Sequence, residues 1–162
     1  MRIDVISEIT KIKQVKEYVK NLLGNIKPTL VSVTSQKLEK YCKYIYEKNP
    51  IYWDKDYAIS KGYTNPLVPP GYLPTLITPI INKIFLSKLP LMVKGIIHTS
   101  SEITYLKPVF ANINYITTIT LEDISDKEGQ KGSYIQTDFI VTLKNENGED
   151  VAVDKHMFFL KK

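Results

Sequence analysis

The stretch YCKYIYEKNPIYWDKDYAISKGYTNPLVPPGY, residues 41–72, decides how the chain reads. It opens on a helix that Pro50 closes, because proline lacks the N–H a helix interior needs. Asp54 then stands where a side-chain oxygen can cap a short helix, and Gly62 is placed to end it. Asn65-Pro66-Leu67-Val68-Pro69-Pro70-Gly71 follows as a stiff, extended approach, since a residue before proline is held out of the helical region. Beyond it, Leu73, Leu76, Ile77, Ile80, Ile81, Ile84 and Phe85 make a helix apolar nearly all round, which must be buried. A kink or break is expected at Pro79.

Toward the N-terminus, residues 6–23 carry Ile9, Val15, Val19, Leu22 and Leu23 at mostly helical spacing and stop before Gly24. Leu30 to Val33 is a short β-rich run. Thr34 can cap the helix that follows, whose apolar stripe is Leu38, Tyr41, Cys42 and Ile45, so Cys42 reads as core. Toward the C-terminus the period changes from 3.6 to 2. Ile96 to Leu106, Ile113 to Ile124, Ser133 to Lys144 and Val151 to Leu160 read as four strands. Ile113, Tyr115, Thr117, Ile119 and Leu121 alternate cleanly, as do Ile135, Thr137, Phe139, Val141 and Leu143. Asn147-Gly148 marks a hairpin between the last two strands, and Gly129 and Gly132 mark the turn before them. His156 alternates with Asp154 and reads as a solvated face, while Tyr134, Phe158 and Leu160 suggest a second buried surface. The expected class is α+β, an antiparallel sheet with one buried helix against it.

The 162 residues are 43% hydrophobic and 24% charged, enough for one core, and no repeat or linker divides them. Residues 1–162 are therefore read as a single domain, with 1–27 an N-terminal helical extension. One cysteine excludes an internal disulfide and fits a reducing, cytoplasmic setting. Only His98 and His156 are available as imidazoles, so no zinc site, metal or cofactor is expected. MRIDVISEITKIKQ lacks the apolar core of a secretory signal. The greasiest stretch, residues 67–97, is interrupted by Lys83, Lys88, Lys94 and several prolines, so no membrane span is expected. The net charge of +5 is almost all lysine, with Arg2 the only arginine, and it is spread along the chain. That distribution argues against a nucleic-acid partner. No G-x-S-x-G, P-loop or G-x-G-x-x-G motif occurs.

The Asn49-Pro50 segment, the Pro-Pro-Gly turn into the buried helix, and EITYLKPVF at residues 102–110 together resemble the MaoC-like hydratases and dehydratases. Within them the tyrosine after Asn-Pro and the Pro-Pro before Gly71 look most like the FAS1-like dehydratase branch. The likeness covers roughly residues 28–160. It implies the hot-dog fold, an antiparallel sheet wrapped around a long central helix, and reversible hydration of an enoyl thioester. It also implies an acyl-CoA or acyl-carrier-protein ligand, and a homodimer or a heterodimer with a second hot-dog subunit.

The family's catalytic aspartate and histidine, in Asp-x-Asn-Pro-x-His, fall on Glu47 and Tyr52. A glutamate can still move protons, although it is one methylene longer. Tyrosine, with an ordinary pKa near ~10, is a poor base at neutral pH but can donate a hydrogen bond. The family's oxyanion-binding backbone N–H falls on Gly71, and glycine lets a backbone approach a ligand closely. Asn49, Asp54, Pro70 and Tyr72 complete the binding set that the likeness implies. From the residues alone, Glu47 reads equally as a solvated helix end, Tyr52 as packing and Asp54 as a cap.

Three activities stay open: a non-catalytic subunit whose partner supplies the Asp/His pair, a homodimeric hydratase using Glu47 with Tyr52, and an acyl-CoA-binding scaffold. No Asp or Glu occurs between Tyr57 and Ser101, which disfavours a thioesterase with its carboxylate on the central helix. Lys61, Lys83, Lys88 and Lys94 in that stretch suit a polyanionic CoA or phosphopantetheine tail, or simply a solvated helix edge. His98, in the run HTSSE, reads as a strand histidine.

Overall fold

The computed structural model describes residues 12–88, 94–130 and 132–161. Its elements are α1 (Ile12–Gly24), β1 (Thr29–Val31), α2 (Ser35–Tyr44), α3 (Lys55–Ser60), α4 (Leu73–Lys88), β2 (Gly95–Tyr105), β3 (Tyr115–Gly129), β4 (Gly132–Lys144) and β5 (Asp150–Lys161). Single 3-10 turns stand at Pro50–Tyr52 and Pro70–Tyr72. The expectations placed on Ile9, and on the side chains of Val15, Pro79, Lys83, Ile84, Phe85 and Lys88, lie outside the described residues.

The strands form one antiparallel sheet in the order β1-β3-β4-β5-β2. Period-two burial builds its inner face. Tyr115, Thr117, Ile119 and Leu121 are buried on β3, and Ile135, Thr137, Phe139, Val141 and Leu143 on β4. A bulge between Leu121 and Asp123 reverses the parity of β3, so that Ile124 rather than Asp123 is buried beyond it. Leu73, Ile77 and Ile81 of α4 join the same apolar cluster. A sheet closed over a buried helix is the hot-dog arrangement, and the class is α+β as the sequence predicts.

Several local expectations change. The helix α4 is continuous through Pro79 rather than broken there. α1 is built into the core through Val19 and Leu23, and Lys16 bridges to Asp123 of β3. β3 runs to Gly129, five residues past the expected end at Ile124, because it continues pairing with β4 as far as Gly132.

The largest correction concerns β5. Asp154 and His156 are not on a solvated face but are fully buried, opposite Val141 and Phe139 of β4. Phe158 and Leu160 share their register and face the same core, so they do not form a second buried surface. The outer face at this point carries Tyr134 tilted on Phe159, with ring centroids 4.4 Å apart. Both registers of β5 are apolar enough to be buried, and only pairing with β4 selects one.

Truncating Phe139, which is wholly buried, should cost about 3–5 kcal/mol, read as a fall in urea midpoint at unchanged slope. Thr120→Ala on the exposed side of β3 should stay within about 0.5 kcal/mol.

Candidate active site

The site begins where α2 ends. Glu47 N–H donates to the Cys42 carbonyl at 2.9 Å and Tyr46 N–H to that of Lys43 at 3.4 Å, the double bond of a Schellman C-cap. Tyr46 fills the left-handed position at φ 58, where glycine is usual, and the bond pair compensates its strain. The helix therefore stops well before Pro50, and this cap, rather than the proline, closes it.

Glu47 then folds back on its own turn: Oε1 accepts from the backbone N–H groups of Lys48 and Asn49, each at 2.8 Å. Asn49 Oδ1 accepts from Ile51 N–H at 3.1 Å and caps the Pro50–Tyr52 turn. Asp54 Oδ1 accepts from Tyr57 N–H at 3.0 Å and caps α3. These polar side chains hold backbone first, and each keeps lone pairs to spare.

Two tethers bring this turn to the start of α4. Leu67 N–H donates to the Ile51 carbonyl at 3.0 Å, and Val68 N–H to that of Val109 at 2.7 Å. The Lys107–Phe110 corner is itself fixed, because Phe110 N–H donates to Tyr115 Oη at 2.8 Å. Tyr105 at the end of β2 donates its hydroxyl to the Pro70 carbonyl at 2.9 Å.

Between these pieces lies an open cleft of about 380 Å³, lined by Tyr52, Tyr63, Leu67, Val68, Pro70 and Tyr105, with Lys107 at the rim. Lys107 is already paired with Glu149 at 2.9 Å. Of the residues singled out from the sequence, Tyr52 and Pro70 line the cleft. Glu47, Asn49, Asp54, Gly71 and Tyr72 do not. Glu47 is near enough to raise the Tyr52 phenol above its usual range, second to the effect of burial. Cys42 behind them is a buried thiol, pushed up by burial and then by Glu47, which makes it core rather than nucleophile. Tyr72 packs edge-on against Tyr41, ring centroids 4.9 Å apart.

A second polar group went unread in the sequence. Ser101 Oγ donates to Asp154 Oδ1 at 2.7 Å, and His156 Nδ1 lies 3.1 Å from His98 Nε2. His156 Nε2 stands 2.9 Å from Asp154 Oδ2, but neither atom has an aligned hydrogen-bond partner, so this contact is one of proximity rather than of a directed bond. His98 also stacks on Phe158, with centroids 4.6 Å apart. Burial, and then Asp154, push the Tyr105 phenol up to about 12. The signal that could have found this group is parity: Asp154 and His156 share a register with Phe158 and Leu160.

Two measurements follow from this geometry. Asp154→Ala takes the acceptor from Ser101 Oγ and the polar neighbour from the buried His156 ring, and should cost about 1–3 kcal/mol in urea unfolding. Because the Tyr105 phenol is raised from the usual 10.0 to about 12 in the fold, its ionisation in the unfolded chain first draws the equilibrium toward unfolding. The stability at stake is complete below pH about 10 and disappears as pH rises through about 12. The alkaline fall in wild-type stability should therefore be steeper than that of Tyr105→Phe.

The comparisons agree with this architecture. The family described as "FAS1-like, dehydratase domain region" matches residues 21–154. No curated protein matches the sequence. Among solved structures, the chain is similar to one from the ChsH1–ChsH2 complex of Mycobacterium tuberculosis, at 20% identity and a TM-score of 0.73, over 95% of this chain and 98% of that one. It is also similar to one from the HadBC (3R)-hydroxyacyl-ACP dehydratase complex of the same organism, at 14% identity and a TM-score of 0.67, over 82% and 91%. The (R)-hydratase of A. caviae involved in PHA biosynthesis gives 12% identity and a TM-score of 0.62, over 82% and 91%. With the Asn-Pro turn, the Pro-Pro-Gly turn and the buried central helix all in place on a hot-dog fold, the chain belongs to the FAS1-like dehydratase family.

Proposed function

We propose that this chain is the acyl-thioester-binding half of an enoyl-thioester hydratase or dehydratase, one hot-dog unit acting in the cytoplasm beside a second hot-dog subunit. The observation that carries the reading is the junction of two turns. Tyr52 of the Asn-Pro turn and Pro70, next to Gly71, line one cleft, and the Leu67–Ile51 hydrogen bond ties the turns together. Such a cleft, apolar with a few phenols, suits an acyl-CoA or acyl-carrier-protein thioester. Gly71 N–H serves as the donor to the thioester oxygen, and Asn49, Asp54, Pro70 and Tyr72 shape the backbone around it.

Glu47 and Tyr52 occupy the catalytic positions. One oxygen of Glu47 is committed to two backbone N–H groups, which opposes its swinging toward a substrate. Tyr52, held protonated, donates but does not accept a proton at neutral pH. These two facts favour a subunit that binds while its partner performs the proton transfers. The neighbouring ChsH1–ChsH2 and HadBC structures are two-component complexes, which supports a hot-dog partner here. β2, at the end of the sheet, exposes Ile96, Ile97 and Tyr105 and offers the edge for it.

Crotonyl-CoA hydration by the chain alone tests the reading. Wild type and Glu47→Gln should both be slow or inactive. Glu47→Asp/Tyr52→His rebuilds the family pair and should raise the rate by about 10²-fold or more, the usual worth of a general acid–base group. Robust wild-type turnover that survives Glu47→Gln would overturn it.

A further inference from the structure

The turn that carries Gly71 sits in a conformation its own sequence does not favour. Tyr72 N–H donates to the Pro69 carbonyl at 2.9 Å, so Pro70 and Gly71 are the central pair of a tight turn. A Pro-Gly central pair favours the type II form, in which the glycine takes a positive φ of about 80°. Gly71 is not among the glycines of positive φ, and the turn is instead a 3-10 turn that leads directly into α4. The two forms differ by a flip of the Pro70–Gly71 peptide plane. That peptide is planar and trans, so its carbonyl and its N–H point in opposite directions. Whatever holds the Pro70 carbonyl therefore sets the direction of the Gly71 N–H.

Two donors hold that carbonyl. One is local, the Leu73 N–H at the end of the 3-10 turn. The other comes from the sheet, the Tyr105 hydroxyl at 2.9 Å. Among the described residues the Gly71 N–H has no acceptor of its own.

We propose that Tyr105 is a positioning residue that latches the Pro70–Gly71 peptide: its hydroxyl, bonded to the Pro70 carbonyl, holds the turn out of the type II form and keeps the Gly71 N–H aimed at the thioester oxygen. This rests on the thioester-binding reading for the ligand, but not for the latch itself. Because the phenol is pushed up to about 12 by burial and by Asp154, it remains a donor throughout the physiological range.

The test uses the full chain, labelled for NMR, with crotonyl-CoA as the probe. In wild type the Pro70 Hα to Gly71 N–H cross-relaxation should be weak, as a type I or 3-10 turn separates these protons. In Tyr105→Phe, which keeps the ring and loses the donor, it should become strong, the mark of the flipped type II turn. Crotonyl-CoA affinity should fall about 3- to 10-fold, the effect of one neutral hydrogen bond. Adding Gly71→Ala to Tyr105→Phe should restore the weak signal, because alanine resists positive φ. Its Cβ would lie 2.9 Å from Tyr41 Oη, the free end of a side chain that can turn aside.

A Tyr105→Phe protein with unchanged cross-relaxation and unchanged affinity overturns the latch. A wild type that does not bind crotonyl-CoA, while Tyr105→Phe still flips the turn, removes the thioester reading and leaves the latch standing.

Discussion

The structure depends on one constraint: every second residue of the central strands must enter the apolar core shared with α4 and α1. Leu73, Ile77 and Ile81 supply the α4 side of that core, and the inward residues of β3, β4 and β5 supply the sheet side. Because side chains alternate with period two, a slip of one residue would turn a whole strand inside out. The register is accordingly fixed by pairing, Phe139 opposite His156 and Ile135 opposite Leu160. Where β3 needs an extra residue, a bulge at Leu121–Asp123 absorbs it without losing the core. The same register places Tyr105 at the far end of β2, within reach of the start of α4.

That constraint has an electrostatic consequence. Holding β5 in the register that buries Phe158 and Leu160 also buries Asp154 and His156. An unpaired carboxylate in such a place would be strongly unfavourable, so Ser101 and His156 gather around it, and His98 extends the group to the exposed strand β2. Buried polar groups of this kind contribute little net stability but make the arrangement unforgiving of change. Around the cleft the polar groups do a different job. Glu47, Asn49 and Asp54 each satisfy backbone N–H groups in a run of turns too short to satisfy its own. The loop is thus held by its own polar side chains, which serve the backbone before anything else.

Much of this was legible in the residues, and for local reasons. Thr34 and Asp54 cap their helices as their positions imply, since a cap depends on three or four consecutive residues. The clean alternation from Tyr115 to Leu121 and from Ile135 to Leu143 announces its buried face, because only one register of each strand is apolar. The α+β class followed from one buried helix before four strands, and the hot-dog fold from the family likeness of the turns around Asn49-Pro50 and Gly71. What the sequence could not determine is anything that turns on a choice between two locally acceptable states. β5 is apolar on both registers, so Asp154 and His156 went to the core only when β4 selected the face. Pro79 lies inside an unbroken helix. Pro70-Gly71 can make either of two turns, and a tyrosine 35 residues away on β2 decides between them. The sequence by itself determined the elements and their caps, because those are set by short-range sterics and periodicity, while its motifs carried the family likeness. The tertiary structure alone decided which face, which turn and which carboxylate are buried, because those alternatives differ only through contacts made by residues distant along the chain.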